Sequence, residues 1–588
     1  MSAKNTFKTA ELMKEIMKNY NKQPFSPHLF GNDLMMIDDA ERSMAMDKAA
    51  SPEAAGAGTD FSETNIQVSG VDEADIVKTD GKYLYQLTND ANLIISQIYP
   101  AEKMQVITSK NFSKRDFNPI NIYIHADQII VIGSYRELSP IPPRPPILRD
   151  TQSSSIEPEL PSIMPPFWGK EFTKAYILKF ENQNIETIRE IEIEGHYVSS
   201  RKIDSHIYLV SNMYFYDVVV PYLKDSVFSD IPEAINFDQI RYFPGYQNQT
   251  YLNVLSFDLN DISKKAEVAT YLGAGSEIYM SKENLYITMS GYPDTEIYKF
   301  NINGTDINYD TKGKVNGSLL NQFSMDEHNG FFRIATTSHD QRVMSNNIFV
   351  LNRDLDIVSK ITDLAPTERI YSVRFMGDKM YMVTFEIIDP FFVIDLSDPF
   401  KPEILGELKI PGFSSYLHPI DDNHILGIGK DVTVEERRDS LGNIIGNPFG
   451  IEKGLKMSVF DVSDLTNPIE KHQVILGTEG TYSEALHDHK AVLFDYRNNL
   501  LVLPVHLSYE HKFNNQGAYV YKIDLDKGFE LIGNETHTTL ESKDSYDYHQ
   551  IIKRTLYIDE FLYFISDAKI SARNINTFSE SQFIDLKK

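Results

Sequence analysis

The amino-acid sequence predicts an all-β fold in which one small unit of antiparallel strands is repeated along most of the chain. From Asn65 onward, residues rich in Ile, Val, Tyr and Phe occupy every second position of short runs. Turns containing Gly, Asp or Asn separate these runs, and the helical spacing of apolar residues is nearly absent. A two-strand unit recurs throughout this region. These features are typical of successive β-hairpins.

The repeated hairpins follow a regular pattern along the chain. They lie near Asp75, Asn121, Arg201, Glu277, Phe331, Tyr371, Tyr416, His489 and Ile551. An apolar third strand that ends in an acidic or amide residue follows most of them, at Glu181, Asp258, Asn301, Asn352, Asp395, Asp461 and Asp524. The shortest step between third strands is 43 residues, which matches a four-stranded propeller blade of about 40 to 50 residues. The sequence therefore predicts a β-propeller of eight or nine four-stranded blades over residues 65–588.

The N-terminal region differs from the repeats. Leu12 and Ile16 recur at helical spacing among charged residues, which predicts a short amphipathic helix within a stalk of residues 1–40. Residues 41–64 are rich in Ala and Gly and are expected to form a flexible linker. The first 20 residues lack the apolar core of a signal peptide.

Composition limits the class of protein further. The 588 residues include 57 Lys and Arg against 84 Asp and Glu, giving a formal net charge of −27. This balance argues against nucleic-acid binding, which needs a basic face. The absence of cysteine excludes disulfides, thiol nucleophiles and Cys-ligated metals. No apolar run approaches the roughly 18 to 20 residues of a membrane-spanning helix.

The acidic residues that end the third strands have two interpretations. In DLSDPFKP at Asp395 and DVSDLTNP at Asp461, several oxygen donors lie close together, as in a calcium loop. The same residues close Asx turns on their own backbone, and the proline fixes the exit of the turn. Because calcium prefers six to eight oxygen ligands, the sequence favours the Asx turn.

Several long segments resemble one known family. They are VSGVDEADIVKTDGKYLYQL from Val68, IYPAEKM from Ile98, IYSVRFMGDKMYMVTF from Ile370, DPFFVIDLSDPFKPEILGELKIPGFSSYLHPIDDNHILGIGKD from Asp389 and SEALHDHKAVLFDYRNNLLVLPV from Ser483. The chain is similar through them to the bacterial and archaeal secreted β-propeller domain family, which is distantly related to WD40 repeats. The resemblance implies an extracellular or cell-surface location and carries no known catalytic residues.

Propeller topology predicts where ligands would bind. With blade strands lettered A to D from the channel outward, the B–C loops and the D–A connections open on one face. Insertions at 139–168, 213–250 and 431–454 fall in B–C loops, and the last of them is expected to be an extended hairpin. The second insertion carries four tyrosines that are candidate binding residues on this face, namely Tyr214, Tyr216, Tyr242 and Tyr246. Its aromatic residues form either a satellite core or a stacking surface for a sugar or peptide.

The D–A connections on the same face carry polar residues that are expected to surround the mouth of the central channel. These candidate binding residues are Asp72, Glu73, Asp75, Glu277, Glu368, Arg369, Tyr416, His418, Glu484, His487, His489 and His549. The His-x-His of SEALHDH would place the imidazoles of His487 and His489 on one side of a strand. Glu484, His418 or His549 could then complete a metal site with them. The other interpretation is that these residues hydrogen-bond the inner strands and fix the packing of the blades.

The sequence thus favours an exported, surface-associated binding or scaffold module for a protein, a peptide or a cell-wall glycan. A metal-dependent hydrolase or lyase at the channel mouth is the alternative, and a purely structural spacer is a third possibility. No catalytic residue and no cofactor is predicted, although a divalent metal is left open. A closed ring exposes few sheet edges, so a monomer is expected.

Overall fold

The computed structural model describes residues 60–113, 116–138, 169–215, 219–243, 249–291, 293–340, 343–386, 389–436, 438, 444, 449–509, 512–538 and 547–586. The predicted stalk with its helix, most of the predicted linker, the insertion at 139–168 and the candidate residues Tyr216 and Tyr246 lie outside this part of the chain.

Nine antiparallel sheets follow one another along the described residues, each built on four strands in sequence order. The predicted propeller is therefore confirmed, with nine blades. Blade 1 contains Val77–Thr79, Tyr83–Leu87, Asn92–Gln97 and Gln105–Asn111. Blade 2 contains Phe117–His125, Gln128–Leu138, Gly169–Glu181 and Asn184–Glu194. Blade 3 contains His196–Ile203, His206–Tyr214, Thr250–Asp258 and Glu267–Leu272. Blade 4 contains Glu277–Met280, Asn284–Ser290, Asp294–Asn303 and Asp306–Asn316. Blade 5 contains Met325–His328, Phe331–Asp340, Val343–Leu351 and Ile357–Leu364. Blade 6 contains Arg369–Met376, Lys379–Phe385, Asp389–Asp395 and Glu403–Ile410. Blade 7 contains Phe413–Asp421, His424–Glu435, Phe449–Asp461 and Ile469–Leu476. Blade 8 contains Leu493–Asp495, Leu500–Tyr509, Lys512–Asp524 and Gly528–Glu535. Blade 9 contains Arg554–Ile558, Phe561–Ile565, Lys569–Asn574 and Glu580–Asp585.

The central strands of each blade are apolar because both of their faces are buried against neighbouring blades. In strand B of blade 4, Leu285 and Ile287 pack against blade 3, whereas Tyr286 points the other way and stacks on Phe332 of blade 5 with ring centroids 4.2 Å apart. Successive strand side chains point to opposite faces, so a strand between two blades needs apolar residues at every position. This explains the near-continuous hydrophobic runs of the B and C strands.

The ring closes by packing the first blade against the last. Leu84 and Ile98 of the blade 1 region share an apolar cluster with Leu556 and Tyr563 of blade 9. The Tyr563 hydroxyl donates to the Ile98 carbonyl over 2.9 Å. Both terminal blades are complete four-stranded sheets, so no blade is shared between the two ends of the described chain.

The turns that follow Asp395 and Asp461 are Asx turns, as the sequence favours. Asp395 Oδ1 accepts from the Ser397 backbone N–H over 2.9 Å, and Asp461 Oδ1 accepts from that of Ser463 over 3.1 Å. The Ser463 hydroxyl, its backbone N–H and Lys471 hold the pKa of Asp461 well below its usual range despite some burial. Each of these carboxylates is therefore engaged in closing its own turn.

The B–C insertion of blade 3 folds onto the outside of the ring. Its strands Tyr222–Asp225 and Ser229–Ala234 form a hairpin that extends the sheet of blade 2, and Arg241–Tyr242 pairs with the outer strand of blade 3. The insertion of blade 7 is an extended hairpin, as predicted, with Val432 opposite Glu452 and Glu435 opposite Phe449. Short 3-10 turns lie at Ala101–Lys103, Gln322–Ser324, Glu484–Leu486, His489–Ala491 and Tyr548–Gln550.

Candidate functional site

Residues 60–76, here called the channel segment, line the inside of the ring before blade 1 begins. Phe61 forms an antiparallel bridge with Ile558 of blade 9, Asp72 with Lys202 of blade 3, and Asp75 with Ile122 of blade 2. These partners lie on innermost strands, whose inner edges would otherwise face the channel with unpaired backbone groups. The chain thus fills part of its own channel. Asp60 to Thr64, which the sequence assigns to the linker, already belong to this layer.

A buried polar network joins the channel segment to the blades around it. Glu73 is 2% exposed and accepts from the Gln67 backbone N–H over 3.0 Å and from Gln322 Nε2 over 3.3 Å. His489 is fully buried, and its Nε2 lies 3.7 Å from Glu73 Oε2. Asn65 Nδ2 donates to the His489 carbonyl over 2.9 Å.

The strongest charge cluster of this network surrounds Arg554, on the innermost strand of blade 9. Its Nε and Nη2 each donate to Asp75 over 2.9 to 3.1 Å, and Nη2 also donates to Asp488. Glu484 lies 3.8 Å from Nη1. Burial alone would lower the pKa of Arg554, but the carboxylates of Asp488, Asp75 and Glu484 outweigh it and raise that pKa. Burial raises the pKa of Glu484.

A second buried group centres on His418 of blade 7, which is 1% exposed. Tyr496 donates its hydroxyl hydrogen to the Pro419 carbonyl over 2.9 Å, so its oxygen accepts from His418 Nε2 over 2.7 Å. Nδ1 is then the acceptor for the Tyr416 hydroxyl, 2.8 Å away. Burial, with the nearby charge of Arg374, lowers the pKa of His418 to about 3. A neutral imidazole with both nitrogens occupied acts here as a connector between blades 7 and 8.

The structure brings some of the predicted channel-mouth residues together and separates others. Glu73, Asp75, Glu484 and His489 meet in the network around the channel segment. Asp72 lies at its margin and binds Lys78 Nζ over 2.7 Å.

Four other predicted residues have their own local surroundings. Arg369 is exposed and donates to the Tyr371 hydroxyl over 2.9 Å, and Glu368 accepts from Thr384. Glu277 begins the inner strand of blade 4. His549 Nδ1 lies 3.7 Å from Asp90. A binding role for these residues stays a prediction.

The strand predicted around the His-x-His pair is wrong. Two consecutive 3-10 turns occupy this segment, and the side chains of Ser483 and Asp488 cap their N-termini by accepting from the backbone of Ala485 and Lys490. His487 is exposed and stacks on Tyr482 with ring centroids 5.8 Å apart, whereas the next histidine is buried. Among the described residues, no three His, Asp or Glu side chains are grouped so that they could hold a metal ion.

Sequence reasoning missed four residues that complete the network, namely Arg554, Gln322, Asn65 and Arg201. Arg201 donates to the Gln322 side chain and, over 2.7 Å, to the Ser200 carbonyl. Their partners are up to several hundred positions away along the chain, for example Asp75 and Arg554 at a separation of 479. Only the capping residues before the 3-10 turns could have been recognised locally.

The blade 3 insertion is held rigidly at the rim of the ring. Arg189, on the outer strand of blade 2, makes two hydrogen bonds of 2.9 and 2.6 Å to Asp225 of the insertion hairpin. Both side chains are 1% exposed. Arg189 also donates to the Lys264 carbonyl of blade 3, and Asp225 accepts from the Ala266 backbone N–H. One buried ion pair therefore connects two blades and the insertion.

The aromatic residues of this insertion divide into two sets. Phe215 and Phe243 are buried in the core shared by blades 2 to 4, which supports the satellite-core interpretation for them. Tyr242 is half-buried, and Tyr214, stacked on His196 with centroids 5.4 Å apart, is 62% exposed. Phe228 and Ile231 at the hairpin are 47% and 74% exposed. Phe228 and Ile231 thus expose two large apolar side chains within four residues of one hairpin.

An open groove of about 850 Å³ separates the hairpin from the loop-rich end of blade 2. Its lining includes Tyr135 and Phe172, whose rings are parallel within 10° and 5.0 Å apart. Lys224, Asp230 and Pro232 of the hairpin also line it. Six of the nine lining residues are charged, and Tyr135, Phe172 and Pro232 supply the less polar surface of the groove.

The fold and this arrangement define a nine-bladed β-propeller whose channel is lined by its own N-terminal segment and whose rim carries a rigid insertion. The family model of the beta propeller domain matches residues 61–578, so the chain belongs to that family. An uncharacterized protein of Methanocaldococcus jannaschii is 31% identical, over 92% of this chain and 85% of its own length. An uncharacterized protein of Archaeoglobus fulgidus is 28% identical, over 98% and 93%.

Solved structures are similar to this chain only at low identity and low TM-score. Dihydro-heme d1 dehydrogenase NirN, solved in complex with DHE, is 11% identical and has a TM-score of 0.37, covering 80% of this chain and 75% of that chain. Apo AztD from Citrobacter koseri is 12% identical with a TM-score of 0.35, covering 70% and 92%. Similarities this low say nothing about ligands. Among the described residues, no helix has the length and apolar character needed to cross a membrane.

Proposed function

We propose that this protein is a binding module and that its partner is a protein or peptide that docks on the rim of blades 2 and 3. The observation that carries the proposal is the exposure of Phe228 and Ile231 on a hairpin fixed by a fully buried ion pair. A large apolar side chain on a rigid support loses little entropy on binding, which is the usual property of interface hot spots.

The neighbouring groove supports the same partner class. Exposed aliphatic groups at Ile231 and Val227 favour apolar side chains over sugar rings, which stack on aromatic faces. Lys224 and Asp230 in the groove lining would fix the orientation of the partner through polar contacts. A peptide segment lying over Tyr135 and Phe172 and against the hairpin would use both features.

The rim can be tested with matched pairs of substitutions. A Phe228→Ser, Ile231→Ser variant is expected to lose at least about tenfold in affinity for partners that photo-crosslinking at position 231 identifies, because each truncated hot spot costs about 1–2 kcal/mol. The control is Leu531→Ser, Phe583→Ser, which removes apolar groups that are 51% and 49% exposed from blades 8 and 9. Equal binding by both variants would contradict the proposal.

Location and assembly belong to the same proposal. The family resemblance implies an extracellular or cell-surface protein, and the closed ring is consistent with a monomer. Fractionation of cells that produce the full chain, followed by light scattering of the purified protein, tests both points. Recovery only in the cytoplasmic fraction would contradict the location.

A further inference from the structure

Five arginines are buried in the described part of the chain, and four of them have clear partners. Arg189 binds Asp225, Arg333 binds Asp326, Arg554 binds Asp75 and Asp488, and Arg201 binds Gln322 and nearby backbone oxygens. Arg374 is the fifth. It is 2% exposed, and its Nε and Nη2 have no hydrogen-bond partner among the residues that the structure describes.

Arg374 lies on the innermost strand of blade 6 and faces blade 7. It alternates along the strand with Ser372 and Met376, which share this side. The Ser372 hydroxyl donates to the Ser414 carbonyl of blade 7 over 2.7 Å, and Met376 packs in a cluster with Leu417. The guanidinium is therefore held at the junction of two blades, beside the His418 group.

The surroundings of Arg374 do not neutralise its charge. The ionisable groups that act on it are Tyr416, Tyr496 and, more weakly, Asp326, whose carboxylate is already bound to Arg333. The two tyrosine hydroxyls donate elsewhere, to His418 and to the Pro419 carbonyl, and the imidazole is neutral. Burial lowers the pKa of Arg374 to about 10, so the side chain is still a cation at neutral pH.

A buried cation without a counter-charge is strongly unfavourable, and proteins pair such groups with an anion. We infer that Arg374 binds a small monovalent anion at the junction of blades 6 and 7, with Nε and Nη2 as the donors. The anion is either chloride or a single carboxylate group, since a guanidinium hydrogen-bonds both. The site is independent of the rim proposed above as the partner surface.

Thermal unfolding in different salts tests the site in the intact protein. The melting temperature of the wild type is expected to rise with chloride concentration at constant ionic strength, with bulky gluconate as the replacement anion, because a ligand that binds the folded state stabilises it. Sodium acetate forms a second arm. A rise with acetate greater than that with chloride assigns the site to a carboxylate, and the reverse assigns it to chloride.

Variants separate binding at Arg374 from general salt effects. Arg374→Met is expected to show the same melting temperature in all three salts, whereas Arg333→Met, which removes a paired buried arginine, is expected to keep the anion dependence. Crystals grown with bromide should show an anomalous peak within hydrogen-bonding distance of Arg374 Nε. A wild-type melting temperature equal in all salts or an anion dependence retained by Arg374→Met would overturn the inference, and a missing bromide peak would overturn it where chloride gives the larger rise.

Discussion

Replacing Arg554 with methionine is expected to lower the free energy of unfolding by about 3–5 kcal/mol, the usual cost of breaking a buried ion pair by removing one partner. The guanidinium is 7% exposed and binds Asp75, which is 5% exposed, and Asp488. Without it, the buried carboxylate of Asp75 would lie near those of Asp488 and Glu484, whose side chains are 25% and 35% exposed, with no cation between them. Urea unfolding followed by circular dichroism measures the change.

The control for this prediction is Arg369→Met. Arg369 also begins an innermost strand, but it is exposed and contacts Tyr371 only through one hydrogen bond and a cation–π contact of 4.8 Å. Its removal is expected to cost less than about 1 kcal/mol. If Arg554→Met and Arg369→Met lowered the free energy of unfolding equally, the cluster around Arg554 would not be what holds the channel segment in place. Asp75→Asn should then also be nearly neutral.

Replacing Asp225 with alanine is the second change with a large expected effect, again about 3–5 kcal/mol if the hairpin stays folded. Arg189 would keep its charge in a site that is 1% exposed, where the Lys264 carbonyl is its remaining acceptor among the described residues. The protein can avoid the cost of this buried charge by releasing the hairpin from blade 2. We therefore expect residues 219–243 to lose hydrogen-exchange protection and to become sensitive to proteases.

A neighbouring pair gives the matched control. Glu233 on the same hairpin binds Lys265 over 2.6 Å, but both side chains are about half exposed. Glu233→Ala is expected to cost less than about 1 kcal/mol and to leave the hairpin protected, because exposed ion pairs contribute little. If Asp225→Ala left the proteolysis pattern unchanged as well, the ion pair would not be what fixes the rim.

Local patterns predicted the blades well because a blade is a local structure. The short apolar run in NLYITMS and the turn residues around Asp395 depend on neighbours a few positions away. The position of the insertions followed from strand order alone. The repeat count left the number of blades at eight or nine, because it did not show whether the first and last sheets are complete. Both are complete four-stranded sheets in the structure, so there are nine blades.

The channel could not be predicted in this way. VDEAD at Val71 has three carboxylates in five residues, a pattern typical of exposed loops, yet Glu73 and Asp75 are buried. Their burial is possible only because His489, Gln322 and Arg554 meet them from blades that follow hundreds of residues later. The His487 and His489 spacing suggested a strand, whereas the caps at Ser483 and Asp488 set two 3-10 turns that separate the imidazoles.

Hydrogen exchange of the channel segment tests most directly the claim that the chain fills its own channel. The backbone N–H of Asp72 donates to the Lys202 carbonyl over 2.8 Å, and that of Asp75 donates to the Ile122 carbonyl over 3.2 Å. We expect both amides to be protected as strongly as those of the inner strands, since both depend on the assembled ring. Exchange of these amides at the rate of an exposed loop, while the inner strands stay protected, would contradict the account.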